Sequence, residues 1–136
     1  MPEIFSWPLR VYYEDTDASG VVYHASYLRF FERARTEWLR AMGQGQEALR
    51  QTSGLAFTVA NMEIDFVKPA RLDDELEVTV QIVQVRGASL RFVQTMYRVA
   101  APGDVLTRAH VRVACVDQAT FRPQPLPAIF NSKEQA

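Results

Sequence analysis

Cysteine is almost absent from this chain: Cys115 is the only one among 136 residues. That excludes an intrachain disulfide and a multi-cysteine metal cluster, and it fits a reducing compartment. The setting Val111-Arg112-Val113-Ala114-Cys115-Val116 alternates as a strand does, so Cys115 reads as a small buried apolar residue. Neither charge is in excess. The 15 basic and 16 acidic side chains leave a net charge of −1, which argues against a nucleic-acid partner, because such binding depends on surplus positive charge. Lysine is nearly missing too: Lys68 and Lys133 stand alone, and the other basic residues are arginines, whose planar fork suits bidentate contact with phosphate or carboxylate. No apolar run approaches the ~18 residues needed to span a bilayer, and the opening residues have neither a basic n-region nor a sustained apolar h-region. The expectation is a cytoplasmic protein with no membrane insertion. Repeats and low-complexity tracts are absent, as is Gly-x-Ser-x-Gly, and there are only two histidines, His24 and His110, so serine-hydrolase chemistry is poorly supported.

What remains is an ordinary globular composition, 48% hydrophobic and 23% charged, over a length that suits one domain spanning residues 1–136. A short strand is expected over Arg10 to Tyr13, after Pro8, followed by the polar run Glu14-Asp15-Thr16-Asp17-Ala18-Ser19-Gly20 as a turn or loop. From Ser26, a candidate N-cap, Tyr27, Phe30, Phe31, Ala34, Trp38 and Met42 recur at helical spacing, and Gly43 supplies the stop. Gln46 to Gln51 suggests one more helical turn. Beyond Gly54 the period changes to two. Met62, Ile64 and Phe66, then Leu76, Val78, Val80 and Ile82, then Val105, Ala109, Val111, Val113 and Cys115 alternate with more polar neighbours. The turn clusters at residues 68–74, 86–88 and 101–104 are too short for parallel crossovers, so the strands are antiparallel. The simplest arrangement is α+β, a curved antiparallel sheet wrapped around one long helix. After Phe121, Pro123, Pro125 and Pro127 forbid a central strand and predict a tail extended along the surface. Val83, Val85, Val93, Val99 and Val116 fall opposite the main apolar set, which favours a homo-oligomer whose second subunit covers part of them.

Reactive groups concentrate between Tyr12 and His24, where a strand ends and a helix begins. The acids there admit three readings. One is a solvated turn, the usual fate of an Asp/Glu run. Another is a metal or phosphoryl-transfer site, since Asp15-Thr16-Asp17 after a strand is similar to the aspartate pair of haloacid-dehalogenase-type phosphatases; that fold requires strand-helix-strand units, and here one helix is followed by strands. The third is a metal-free acyl-transfer site, with Asp17 as base or nucleophile and the amides of a helix start polarising a carbonyl oxygen. His110, between Arg108 and Arg112 in strand alternation, reads as an exposed strand residue, while His24 suits capping, packing or chemistry equally.

The run Val11-Tyr12-Tyr13-Glu14-Asp15-Thr16-Asp17-Ala18, Gly20-Val21-Val22-Tyr23-His24-Ala25-Ser26-Tyr27-Leu28 and Phe31-Glu32-Arg33-Ala34-Arg35-Thr36-Glu37 closely resembles the signature of hotdog-fold acyl-CoA thioesterases. The likeness is to the 4-hydroxybenzoyl-CoA thioesterase-like group and its Tol-Pal-associated (YbgC-type) branch. It continues through residues 69–74, 86–90 and Val116-Asp117. The resemblance implies a hotdog fold, dimers and often homotetramers with sites at subunit interfaces, and hydrolysis of acyl-CoA to free acid and coenzyme A without a metal; coenzyme A enters as part of the substrate. It implies that Asp17 is the catalytic aspartate, that the His24 backbone N–H polarises the thioester carbonyl with the His24 side chain a further catalytic candidate, and that Tyr13 lines the site. Coenzyme A phosphates are implied near Arg86, Ser89 and Arg91. Ser19 departs from the pattern, standing where relatives commonly carry glycine, with an expected effect on loop stiffness or pocket size. The Tol-Pal branch implies work near phospholipid metabolism, with an acyl carrier protein or phospholipid-metabolism partners. The competing class is a non-catalytic acyl-CoA or acyl-carrier-binding module.

Overall fold

The computed structural model describes residues 4–43, 45, 51–127 and 130. Strand β1 (Phe5–Arg10) leads through a 3₁₀ turn (Tyr13–Asp15) to the long helix α1 (His24–Ala41), and β2 (Leu55–Phe66), β3 (Glu75–Arg86), β4 (Ser89–Arg98) and β5 (Ala101–Asp117) follow. The strands form one antiparallel sheet in the order β1-β3-β4-β5-β2. α1 buries Tyr27, Phe30, Phe31, Ala34 and Leu39 against Leu76, Val78, Val80, Phe92, Met96, Val111 and Val113 of the sheet. This is the α+β arrangement that the two hydrophobic periods imply, and it agrees with the hotdog fold that the resemblance implies. Each large side chain fully withdrawn from water along that stripe contributes about 1.5–3 kcal/mol.

Several local expectations are corrected. β1 ends where it was expected to start. Phe5, Trp7 and Leu9 already alternate inward, and Pro8 lies inside the strand opposite Glu77; an edge strand accepts proline because one side of its backbone has no ladder partner. The helix begins two residues before Ser26. Tyr23 is its N-cap, in extended conformation and without a side-chain cap bond. Tertiary backbone bonds set the entry instead: Val22 N–H donates to Ala70 O at 2.9 Å and Tyr23 N–H to Asp15 O at 2.8 Å. Gly43, at φ +78°, terminates the helix as expected.

A bulge between Ile82 and Gln84 reverses the alternation of β3, so Val85 is buried in the core while Val83 stays exposed. Val116 is buried as well, bridged by Pro123. The β4–β5 turn is at residues 99–100, and residues 101–104 already belong to β5. Arg98 fixes that corner with bonds to Asp74 (3.0 Å), Asp104 (2.9 Å) and the Pro69 carbonyl (2.8 Å). The proline-rich tail does more than run over the surface. Gln124 N–H donates to Cys115 O and Leu126 N–H to Gly87 O, Leu126 is buried, and the fully buried Phe130 ring meets Trp38 and Phe57, each with centroids 5.9 Å apart. The helical turn expected at Gln46 to Gln51 lies outside the described residues except for Gln51, which is helical together with residues 52 and 53.

Candidate active site

The loop between the 3₁₀ turn and α1 folds back on itself. Thr16 and Val22 form an antiparallel bridge. Asp17 N–H donates to Val21 O and Gly20 N–H to Asp17 O, both at 3.0 Å, and Gly20 supplies the positive φ of +84° that so tight a reversal needs. Val21 also bridges Arg71, which anchors the loop to the segment entering β3. Asp17 is thereby held on a rigid support beside the first turn of the helix.

The two neighbouring acids separate in role. Asp15 is buried, with Oδ2 accepting the Tyr12 N–H at 2.8 Å and Oδ1 facing Arg29 at 3.5 Å. Asp17 is exposed, and Oδ1 accepts both the Ser19 N–H (2.9 Å) and the Ser19 hydroxyl (2.5 Å). Those two bonds, the hydroxyl's first, hold the Asp17 carboxyl below the usual aspartate value, and the charge of nearby His24 adds a smaller pull in the same direction. Asp17 is a carboxylate at neutral pH, as the acyl-transfer reading requires, and Ser19 is the main cause. The metal reading loses its second ligand to Tyr12 and Arg29, and no group of three or more His, Cys, Asp or Glu able to hold a metal occurs among the described residues. An antiparallel sheet is also the wrong scaffold for the phosphatase alternative.

A helix start leaves four amides without intrahelical acceptors. Here Tyr23 N–H goes to Asp15 O and Ser26 N–H to Tyr23 O, each at 2.8 Å. The His24 and Ala25 amides have no acceptor among the described residues. Both lie at the positive end of the 18-residue α1 dipole, where a developing oxyanion is stabilised. The His24 imidazole is exposed on this turn and tilts against Tyr23, with centroids 4.4 Å apart. Beneath it, the Tyr27 hydroxyl accepts the Ala70 N–H at 3.0 Å, and burial raises its pKa.

Tyr13 occupies the 3₁₀ turn with its side chain 81% exposed; its carbonyl accepts the Thr16 N–H and hydroxyl. Within one chain the ring projects into solvent. Arg86, Ser89 and Arg91 do come together, since Arg86 pairs with Ser89 across the β3–β4 hairpin and Arg91 lies one step further along on the outer face. Arg91 borders an open depression of about 270 Å³ with Asn61, Glu63, His110 and Arg112. This hairpin closes the opposite end of β3 from the end that Asp17's loop touches. A strand of 12 residues at about 3.3 Å each separates the two groups by roughly 35 Å along the chain. One subunit therefore does not unite them.

The Asp17–Ser19 pairing was not read from the sequence, where Ser19 counted only as a departure from glycine. A hydroxyl two residues after an aspartate in a turn is the signal that points to it.

A family model for the thioesterase-like superfamily matches residues 11–133. The chain is 51% identical over 124 residues to the acyl-CoA thioester hydrolase YbgC of Escherichia coli O157:H7, covering 91% of this chain and 90% of that one. It is 49% identical over 123 residues to the acyl-CoA thioesterase YbgC of Haemophilus influenzae, covering 90% and 88%. Among solved structures, a probable thioesterase from Bartonella henselae superposes with a TM-score of 0.85 at 38% identity, over 92% of this chain and all of the other.

Proposed function

The chain belongs to the thioesterase-like superfamily, and on that premise we propose that it is an acyl-CoA thioester hydrolase releasing free acid and coenzyme A without a metal. The single observation that carries this reading is an ionised Asp17 on a fixed loop beside the unclaimed His24 and Ala25 amides. A thioester carbonyl seated there places its oxygen at those amides, which stabilise the negative charge that develops on it. Asp17 then acts in one of two ways. As a base it removes a proton from water as the water oxygen bonds to the carbonyl carbon and the carbon–sulfur bond breaks. As a nucleophile it bonds to that carbon itself, expels the thiolate and leaves a mixed anhydride for water to cleave. His24 and Tyr13 are the further side chains assigned to this site.

The distance between Asp17 and the Arg86, Ser89 and Arg91 group supports a site built by two chains, with the coenzyme A phosphates on the second chain's hairpin. Among the described residues the edge strand β2 has an open hydrogen-bonding side, and Val59 and Phe66 on it are about half exposed, as are Leu28, Val67 and Leu72. Such an edge is a ready partner for another strand. A homodimer, or a homotetramer of two such pairs, follows. No helix among the described residues is long and apolar enough to cross a membrane. Cytoplasmic placement rests on the single cysteine, which suits a reducing compartment, while work near phospholipid metabolism, with an acyl carrier protein as partner, rests on the resemblance of the signature alone.

Thiol release from short-chain, long-chain and aromatic acyl-CoAs tests the activity. Turnover on any class supports hydrolysis; binding without release on every class would leave an acyl-binding module. Oxygen-18 from labelled water entering the Asp17 carboxylate in a single turnover identifies the nucleophilic route; label confined to the product acid is the result of the base route and equally of an anhydride cleaved at its acyl carbon.

A further inference from the structure

We infer that Ser19 is a positioning residue for the reaction: its hydroxyl and backbone N–H together grip Asp17 by one carboxylate oxygen and leave the other to face the thioester carbon or the attacking water. The inference rests on Asp17 being the reacting group.

The backbone on both sides of Asp17 is already fixed by the Thr16–Val22 bridge, by the Asp17 N–H to Val21 O bond and by the Gly20 N–H to Asp17 O bond. What those contacts leave free is rotation of the Asp17 side chain, which stands in solvent where water competes for both oxygens. Ser19 removes that freedom. Its two donors fall on the same atom, Oδ1, at 2.9 and 2.5 Å, and two charge-assisted bonds from one residue define an orientation as well as an affinity. A glycine at position 19 would supply the amide bond and lose the hydroxyl bond, so the hydroxyl is the part specific to this sequence. Its chemistry involves a compromise. A carboxylate that accepts an extra hydrogen bond is a weaker base and nucleophile, yet it spends more of its time in the orientation from which reaction occurs, and small misplacements of reacting groups are costly. Ser19 needs no contact with substrate to act in this way.

The test compares Ser19→Ala, Ser19→Gly and Ser19→Thr with Asp17→Asn as reference, reading kcat and KM for thiol release, the pH profile, the thermal midpoint and a carbon-13 titration of the Asp17 carboxyl. Ser19→Ala and Ser19→Gly are expected to lower kcat about tenfold with KM little changed, and to move both the acid limb and the carboxyl titration to higher pH, because the donor that holds the carboxylate ionised is gone. Ser19→Thr retains a hydroxyl and is expected to keep both readouts near wild type. A structural role alone would lower the thermal midpoint without moving the titration. Unchanged kcat and titration in Ser19→Ala beside an inactive Asp17→Asn would overturn the role of Ser19 and leave that of Asp17 standing, as would a Ser19→Thr variant as impaired as Ser19→Ala. Full activity in Asp17→Asn would overturn both. Should Ser19→Ala not fold, Ser19→Gly and Ser19→Thr alone make the comparison.

Discussion

Asp15 and Asp17 stand two residues apart in opposite environments: the first is 3% exposed and bonded to the Tyr12 backbone, the second is open to solvent and bonded to Ser19. Their substitutions should separate accordingly. Asp15→Ala strips the acceptor from a partly buried amide and is expected to cost about 1–3 kcal/mol of stability. Asp17→Asn, at an exposed position, should leave the denaturation midpoint close to that of wild type. Urea denaturation of the two variants measures both; equal losses would contradict the division of roles.

The centre of the molecule is the contact of α1 with the sheet. Phe30 is fully buried there, its ring meeting Tyr27 edge-on at 6.3 Å. Phe30→Ala is expected to destabilise by about 3–5 kcal/mol through lost transfer energy and the cavity left behind, read from the same denaturation curves.

Gln94 is a fully buried polar group beside that interface. It accepts from Arg35 at 2.8 Å and donates to the Phe31 and Thr79 carbonyls at 3.1 and 3.3 Å, while burial lowers the pKa of the Arg35 guanidinium it serves. Gln94→Leu keeps the volume and removes that acceptor, so a loss of about 1–3 kcal/mol is expected, again from denaturation.

The pH dependence follows from the direction of the Asp17 shift. A carboxyl held below its ordinary 3.8 remains ionised as pH falls through the normal carboxylate range and is protonated only below it. The contribution of the Asp17 carboxylate to activity is therefore constant across neutral pH, and the part of the acid limb due to Asp17 lies below 3.8. A carbon-13 titration of that carboxyl centred above the ordinary value would contradict this.

If two chains build each site, defects at its two ends should complement. Asp17→Asn chains lack the reacting group, and Arg86→Ala/Arg91→Ala chains lack the phosphate grip. Co-refolding the two is expected to restore hybrid dimers with one intact site each, seen as thiol release at low acyl-CoA above that of either parent. Additive activity with no recovery would place both groups in one chain's site.

The long-range periodicities were legible because each element writes its own: Tyr27, Phe30, Phe31 and Ala34 for the helix, Leu76, Val78 and Val80 for the sheet. Misreadings arose where a tertiary partner overrides a local rule. Pro8 looked like a boundary until Glu77 lay opposite it at the sheet edge, and a bulge after Ile82 turned Val85 inward against the strict alternation. Phe130 carries no sign, beyond its hydrophobicity, that Trp38 and Phe57 wait for it. The candidate site was legible where it is local, from Asp17 to His24. The burial of Asp15 and the separation of Asp17 from Arg86 depend on how distant segments meet, which spacing alone does not encode.

Steady-state thiol release by Asp17→Asn, on the acyl-CoA that the wild type turns over fastest, tests the central claim most directly. A fall in kcat of roughly 10²–10⁴-fold, the scale of general-base loss, in a variant with an unchanged denaturation midpoint is the predicted result. Turnover near the wild-type rate would contradict it and remove Asp17 from the chemistry.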